Sequence, residues 1–212
     1  MNGLQDTSTR KVILTLLKTK GSLTVNDLAK ELAITEMAVR RHINTLERDG
    51  LVASTVIRQA MGRPTNQYML TPASDELFPK NYYGLTLDLL EDLEAEDGGA
   101  TVTKLFQRRK EKLLRKYEGR MDGLPLRARV AELAEIQNNG GYMVSWKEVP
   151  DGGFELLEHN CPIANVANRF EQACQCELQL FKDLLGVPVE RTECLAKGGM
   201  KCTYVIQQNA AE

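Results

Sequence analysis

Five cysteines are the residues best suited to chemistry in this chain of 212, and all lie beyond residue 160: Cys161, Cys174, Cys176, Cys194 and Cys202. In a reducing compartment such thiols rarely form structural disulfides. Their confinement to one segment therefore points to metal, cluster or redox chemistry. The spacing is C-x12-C from Cys161 to Cys174 and C-x27-C from Cys174 to Cys202. It matches neither the two close CxxC pairs of a zinc ribbon nor the CxxC of a thioredoxin-like site. Cys174 and Cys176 stand two apart on a predicted helix, so they point to different faces and do not readily share one metal. From spacing alone two readings stay open. Either three thiolates converge, as soft ligands suited to an iron–sulfur cluster or zinc, or the cysteines are unligated buried thiols.

The elements around the cysteines read as α+β. GYMVSWKEV alternates, the Pro150–Gly153 stretch is a turn, and FELLEH is a second strand, which together make a hairpin. Cys161-Pro162 then opens one long helix, Ile163 to Leu185, with Val166, Phe170, Leu178, Phe181, Leu184 and Leu185 on its apolar side and Gly186 as its stop. Val187–Leu195 and Lys201–Ile206 read as strands around Gly198-Gly199. Cys161 thus falls where strand becomes helix, Cys174 within the helix and Cys202 at the start of the last strand.

The N-terminal end reads differently. Val12, Ile13, Leu16 and Leu17 form one helical stripe that ends at Gly21. Thr24 to Asp27 has the hydroxyl-x-x-acid pattern of a helix start, and a short turn at Ala33-Ile34 follows that helix. Thr35 then caps a third helix, Glu36 to Asp49, with Val39, Ile43 and Leu46 inward. Its outward side chains include Glu36, Arg40, Arg41, Asn44 and Arg48. Arg and Asn are the types that pair bidentately with guanine and adenine edges in the major groove. His42 is read either as a phosphate contact or as a neighbour of the core. Two β-rich stretches, Val52–Ile57 and Gln67–Leu70, flank Arg58, Gly62, Arg63 and Pro64, a hairpin with a basic tip suited to the sugar-phosphate backbone. Three short helices and such a wing predict a winged helix-turn-helix, with Thr35, Glu36, Arg40, Arg41, Asn44, Arg58 and Arg63 as the DNA-binding set. TVNDLAKELAITEMAVRRHINTLERDGLV followed by GRPTNQYMLT resembles the winged helices of bacterial ArsR and DeoR regulators, which implies DNA binding as a dimer.

Charge supports that division. Residues 1–72 hold ten Lys/Arg against six Asp/Glu, a net +4, while the remainder carries seventeen against twenty-three, a net −6. A basic front on an acidic body places the polyanion partner, double-stranded operator DNA, at the front. Between the ends, helices are expected near residues 85–97, 101–118 and 126–138, as a linker and a homodimer surface. No apolar run approaches the roughly 20 residues of a membrane span, and MNGLQDTSTRKV lacks the apolar core of a secretory signal. The expected location is cytoplasmic, with no membrane partner. Enzyme chemistry is poorly served: no phosphate-cradling Gly loop, no HExxH, two histidines, and no paired carboxylates placed around an evident pocket.

The stretch HNCPIANVANRFEQACQCELQLFKDLLGVPVERTECLAKGGMKCTYVI resembles the C-terminal segment of the SufR family, iron–sulfur-dependent repressors of cluster-assembly genes. GYMVSWKEVPDGGFELLEHNCPI and the winged helix in front also fit that family. The resemblance implies a repressor whose operator affinity is set by a cluster, 2Fe-2S or 4Fe-4S, held by Cys161, Cys174 and Cys202. A fourth ligand stays open between Cys194 and His159, and a neighbouring subunit or a non-protein group is a further source. The alternative is a winged-helix regulator whose effector domain binds zinc or no cluster. The expected organisation is a DNA-binding domain over 1–72, a helical linker over 73–139 and an α+β sensor domain over 140–212.

Overall fold

In a computed structural model of the protein, residues 3–58, 63–150 and 152–208 are described. The chain divides into two compact units, Met1–Lys80 and Asn81–Glu212.

The first unit runs α1 (Gly3–Lys20), β1 (Leu23–Thr24), α2 (Val25–Leu32), α3 (Glu36–Arg48), β2 (Val52–Ile57), β3 (Thr65–Leu70) and a 3-10 turn over Pro72–Leu77. Thr24 starts α2 as the sequence pattern requires. Its hydroxyl accepts the Asp27 N–H at 3.2 Å, and its own N–H donates to the Asp27 carboxylate at 2.9 Å. Those bonds hold the Asp27 carboxyl below its ordinary range. At the other end Ala33 takes a left-handed φ of 52°, which lets α3 leave at once in a new direction. Ile13, Leu17, Leu28, Val39, Ile43 and Leu46 close one core beneath the helices. The strands are antiparallel in the order β1-β3-β2. β1 is too short to show in the sequence pattern and ties the α1–α2 turn to the wing through Leu23↔Tyr68 and Thr24↔Gln67.

The second unit runs α4 (Tyr82–Asp97), α5 (Ala100–Tyr117), α6 (Leu126–Asn139), β4 (Val144–Glu148), β5 (Phe154–Glu158), α7 (Ala164–Ala167), α8 (Gln172–Leu185), β6 (Val189–Glu193) and β7 (Cys202–Ile206). The helices expected as a linker are thus built, from Asn81 on, into the same body as the sheet. The sheet is antiparallel in the order β4-β5-β7-β6. Its buried Phe154, Leu156, Tyr204 and Ile206 share one core with Val130 and Leu133 of α6 and Phe181, Leu184 and Leu185 of α8. The Phe181 and Tyr204 rings pack at 4.8 Å between centroids.

Two elements correct the sequence reading. The single helix expected from Ile163 to Leu185 is two helices, α7 and α8, parted at residues 168–171. The cause is Phe170, which turns inward to pack with Leu90 and Val102. Beside it the Arg169 guanidinium meets Glu91 at 3.3 Å and Glu94 at 2.6 Å on α4. The strand expected over Val187–Leu195 is shorter. A bulge falls between Arg191 and Glu193, and Leu195–Lys197 forms a 3-10 turn. Among the described residues no helix is long and apolar enough to cross a membrane.

Candidate nucleic-acid interface and thiol centre

On α3 the amphipathic division is clean. Val39, His42, Ile43 and Leu46 are buried, and Thr35, Glu36, Arg40, Arg41, Asn44 and Arg48 are exposed. The Thr35 hydroxyl accepts the Ala38 N–H at 3.2 Å and fixes where the helix begins. Arg40 Nη2 lies 3.6 Å from Glu36 Oε2, an exposed pair of small energy that the guanidinium can leave for a base or phosphate. Of the two roles open to His42, the structure shows the one beside the core. In the wing, β2 and β3 pair from Val52↔Leu70 to Ile57↔Thr65. Arg58 and Arg63 flank the last pair, both exposed. The expected tip residue Gly62 lies outside the described residues.

The second unit gathers most of its cysteines at one end of the sheet. Cys202 opens β7 directly opposite Glu158 of β5. Cys174 lies in the first turn of α8, Cys194 follows β6, and Cys161 sits in the connection from β5 to α7. Cys174, Cys194 and Cys202 are buried in one core, and half-buried Cys161 packs against it. The Leu195 N–H donates to Cys202 Sγ at 3.4 Å. Burial pushes the Cys174 and Cys202 thiols up to about 12 and raises Cys161 as well. They are therefore neutral near pH 7, and a metal would displace their protons.

The remaining sequence candidates stand apart. Cys176 lines a cavity with Phe106, Arg109, Lys110 and Leu113 of α5. His159 is exposed, with Nε2 3.3 Å from Ser145 Oγ.

Sequence reading missed the polar floor of this site. Glu158 is 1% exposed. Gln137 Nε2 donates to its Oε1 at 2.7 Å, and the Tyr204 hydroxyl, with one proton to share, lies 3.4 Å from Glu158 Oε2 and 3.1 Å from Glu177 Oε2. Burial, then repulsion from Glu177, pushes the Glu158 carboxyl up to about 9. Burial raises Glu177 too, against hydrogen bonds from Tyr142 and Tyr204. A carboxylate pair is therefore present, and Glu177 lines the same small cavity as Cys176. Arg191 Nη1 donates to the Cys174 carbonyl at 2.9 Å. Burial opposes its charge, but Tyr204, Cys194 and Cys174 hold its pKa up. The signal for Glu158 was in the alternation of FELLEH, which sends Phe154, Leu156 and Glu158 to one face.

The candidate donors are sulfurs, the soft type that serves iron–sulfur clusters and zinc alike, and Cys202 Sγ accepts one backbone N–H. Among the described residues, no three His, Cys, Asp or Glu side chains are grouped so as to hold one metal ion. A tetrahedral zinc would draw its sulfurs to about 2.3 Å from one point.

Residues 6–53 match the winged helix-turn-helix DNA-binding family. With the fold of the first unit, this makes the protein a DNA-binding transcriptional regulator of the winged-helix type, a class of transcription factors that are not enzymes. Similar solved structures include the adhesin competence repressor AdcR from Streptococcus pyogenes, 27% identical over 44% of this chain and 74% of that one, with a TM-score of 0.30. PadR of Bacillus subtilis in complex with operator DNA is 16% identical over 62% of this chain and 90% of its own, with a TM-score of 0.30. A mutant form of ZitR of Lactococcus lactis in complex with DNA is 22% identical over 50% of this chain and 74% of its own, with a TM-score of 0.30. No curated protein matches the chain significantly.

Proposed function

We propose that this regulator is a homodimeric repressor of iron–sulfur cluster-assembly genes, and that Cys161, Cys174 and Cys202 hold the cluster it senses. The observation that carries the reading is the placement of those three cysteines at one end of a single sheet-and-helix unit, in a chain whose other unit is a winged helix. The SufR resemblance supplies the target genes. When bound, a cluster would supply a crosslink sensitive to oxidants and to iron supply.

The chain's own residues do the rest. Cys161 ties the β5–α7 connection, Cys174 the start of α8 and Cys202 the start of β7, so three elements are fastened where they converge. Leu195 directs its N–H at the Cys202 sulfur, which stabilises it as a thiolate. Arg191 supplies positive charge beside Cys174 and Cys194 and braces the Cys174 carbonyl. In the dimer, fastening these elements changes how two α3 helices fit successive major grooves. A coupling of about 1–3 kcal/mol shifts operator affinity roughly 5–150-fold.

Purification without air tests this. The expected protein is brown, carries iron and acid-labile sulfide, and loses both in Cys161→Ser. Zinc without sulfide would favour the alternative effector. Protein that takes up neither metal, with a Cys161→Ser variant that represses normally, would leave only the DNA-binding half of the reading.

A further inference from the structure

We infer that the outward faces of α4 and α5 form the dimer interface, with the acidic and apolar stripe of α4 seated on the basic stripe of α5 in a second copy of the chain. This rests on the homodimer in the reading above and deepens it by naming the surface. On α4 the exposed Tyr82, Leu85, Asp88, Leu89, Asp92 and Glu96 recur at steps of three and four residues and so share one face. Leu85 and Leu89 stay 58% and 56% exposed beside the exposed Tyr82, an apolar strip rather than scattered single residues.

On α5 the exposed Lys104, Arg108, Lys112 and Arg115 share one face in the same way, with exposed Leu105 beside them. Among the described residues, the α4 carboxylates held by a cation are Glu91 and Glu94, both by Arg169. The α5 cation held by a carboxylate is Lys110, by Asp183. The charges of the two outward stripes are thus left without a partner inside the unit. The chain reverses between the helices at Gly98 and Gly99, with φ of +65° and +89°. The helices meet through Leu90, Val102 and Phe106, and helical spacing turns both stripes away from that contact.

One molecule therefore carries both halves of a complementary pair on neighbouring helices. A two-fold axis brings α4 of each copy to α5 of the other, and every contact occurs twice. The apolar side chains supply the buried centre of such an interface, while the charges fix its register and reject wrong pairings. Operator DNA suits this surface less well. Asp88, Asp92 and Glu96 would repel phosphates, and Tyr82, Leu85 and Leu89 would have nothing to cover them.

The test uses the full chain, purified without air, as wild type and as the D88K/D92K and R108E/K112E variants, in sedimentation equilibrium over a range of protein concentrations. In D88K/D92K basic stripes face each other, and in R108E/K112E acidic ones do. Each variant should raise the dimer dissociation constant roughly a hundredfold or more, because like charges then meet on both sides of the two-fold. An equimolar mixture of the two variants restores both complementary contacts. It should form heterodimers in native mass spectrometry, which also shows that each variant is folded. Variants as dimeric as wild type overturn the assignment and move the homodimer to another surface. Monomeric variants that mixing does not pair overturn it too. A dimeric R108E/K112E that binds operator DNA more weakly overturns it and gives the α5 stripe to phosphate. Wild type that is monomeric throughout overturns this surface and the homodimer together, while iron and sulfide content judges the cluster reading separately.

Discussion

Replacing Glu158 by glutamine should flatten the dependence of stability on pH in the metal-free protein. In the fold the Glu158 carboxyl is buried beside Glu177, and its pKa is raised from an ordinary 4.5 to about 9. The unfolded chain releases that proton near 4.5 and the folded chain retains it to about 9. Between those limits the native state binds the extra proton, so unfolding free energy falls as pH rises. The slope is about 1.4 kcal/mol per pH unit for one proton. The contribution is complete below about 4.5 and gone above about 9. From pH 6 to pH 8 the loss is about 3 kcal/mol, roughly 6–12 °C in melting temperature for a chain of this size. Glu177, Tyr142, Tyr204, Gln137 and Arg191 all face or border the group, and the two carboxyls titrate as a pair. Glutamine keeps the acceptor for Gln137 and stays neutral, and it removes the repulsion on Glu177. Thermal or urea unfolding at pH 6, 7 and 8 is the assay. The variant should exceed wild type by about 2 kcal/mol at pH 6 and by about 5 kcal/mol at pH 8, the two converging only near pH 4.5. Parallel curves for the two proteins would refute the argument.

Other changes probe the DNA-binding unit. Arg40→Ala or Arg41→Ala should weaken specific operator binding by about 1–3 kcal/mol where the residue reads a base, with little effect on non-specific DNA, as measured by fluorescence anisotropy. Arg63→Ala on the wing should weaken all sequences about equally and reduce the salt slope by about one. Thr24→Ala should cost about 1 kcal/mol of stability in the first unit by removing one half of the reciprocal cap on α2, read by chemical denaturation.

Much of the first unit was legible because its signals are local. Thr24 and Thr35 mark helix starts, Gly50 marks a stop, and Val39, Ile43 and Leu46 repeat at helical spacing. The cysteine-bearing unit was legible in its first hairpin for the same reason, since the alternation in FELLEH survives in β5. What failed was long-range. Phe170 fits the helical periodicity of its neighbours, and only its packing against Leu90 and Val102, far away in sequence, shows that the helix must break there. Glu158 is similar. Its alternation sends it inward, but its partners Gln137, Glu177 and Tyr204 come from three other elements, and no local pattern brings them together.

The break between α7 and α8 has a mechanical consequence. The short stretch that carries Cys161 does not simply run on into a rod. Its Pro162, Ile163 and Val166 form one wall of a groove whose other wall is Tyr82, Tyr83 and Leu90 of α4 and Leu105 and Phe106 of α5, and Arg169 fastens the stretch to Glu91 and Glu94. Tyr82 and Tyr83 remain 70% and 54% exposed. A displacement at the cysteine is therefore geared to the lip of an aromatic surface, where a neighbouring molecule would sense it as a change of shape.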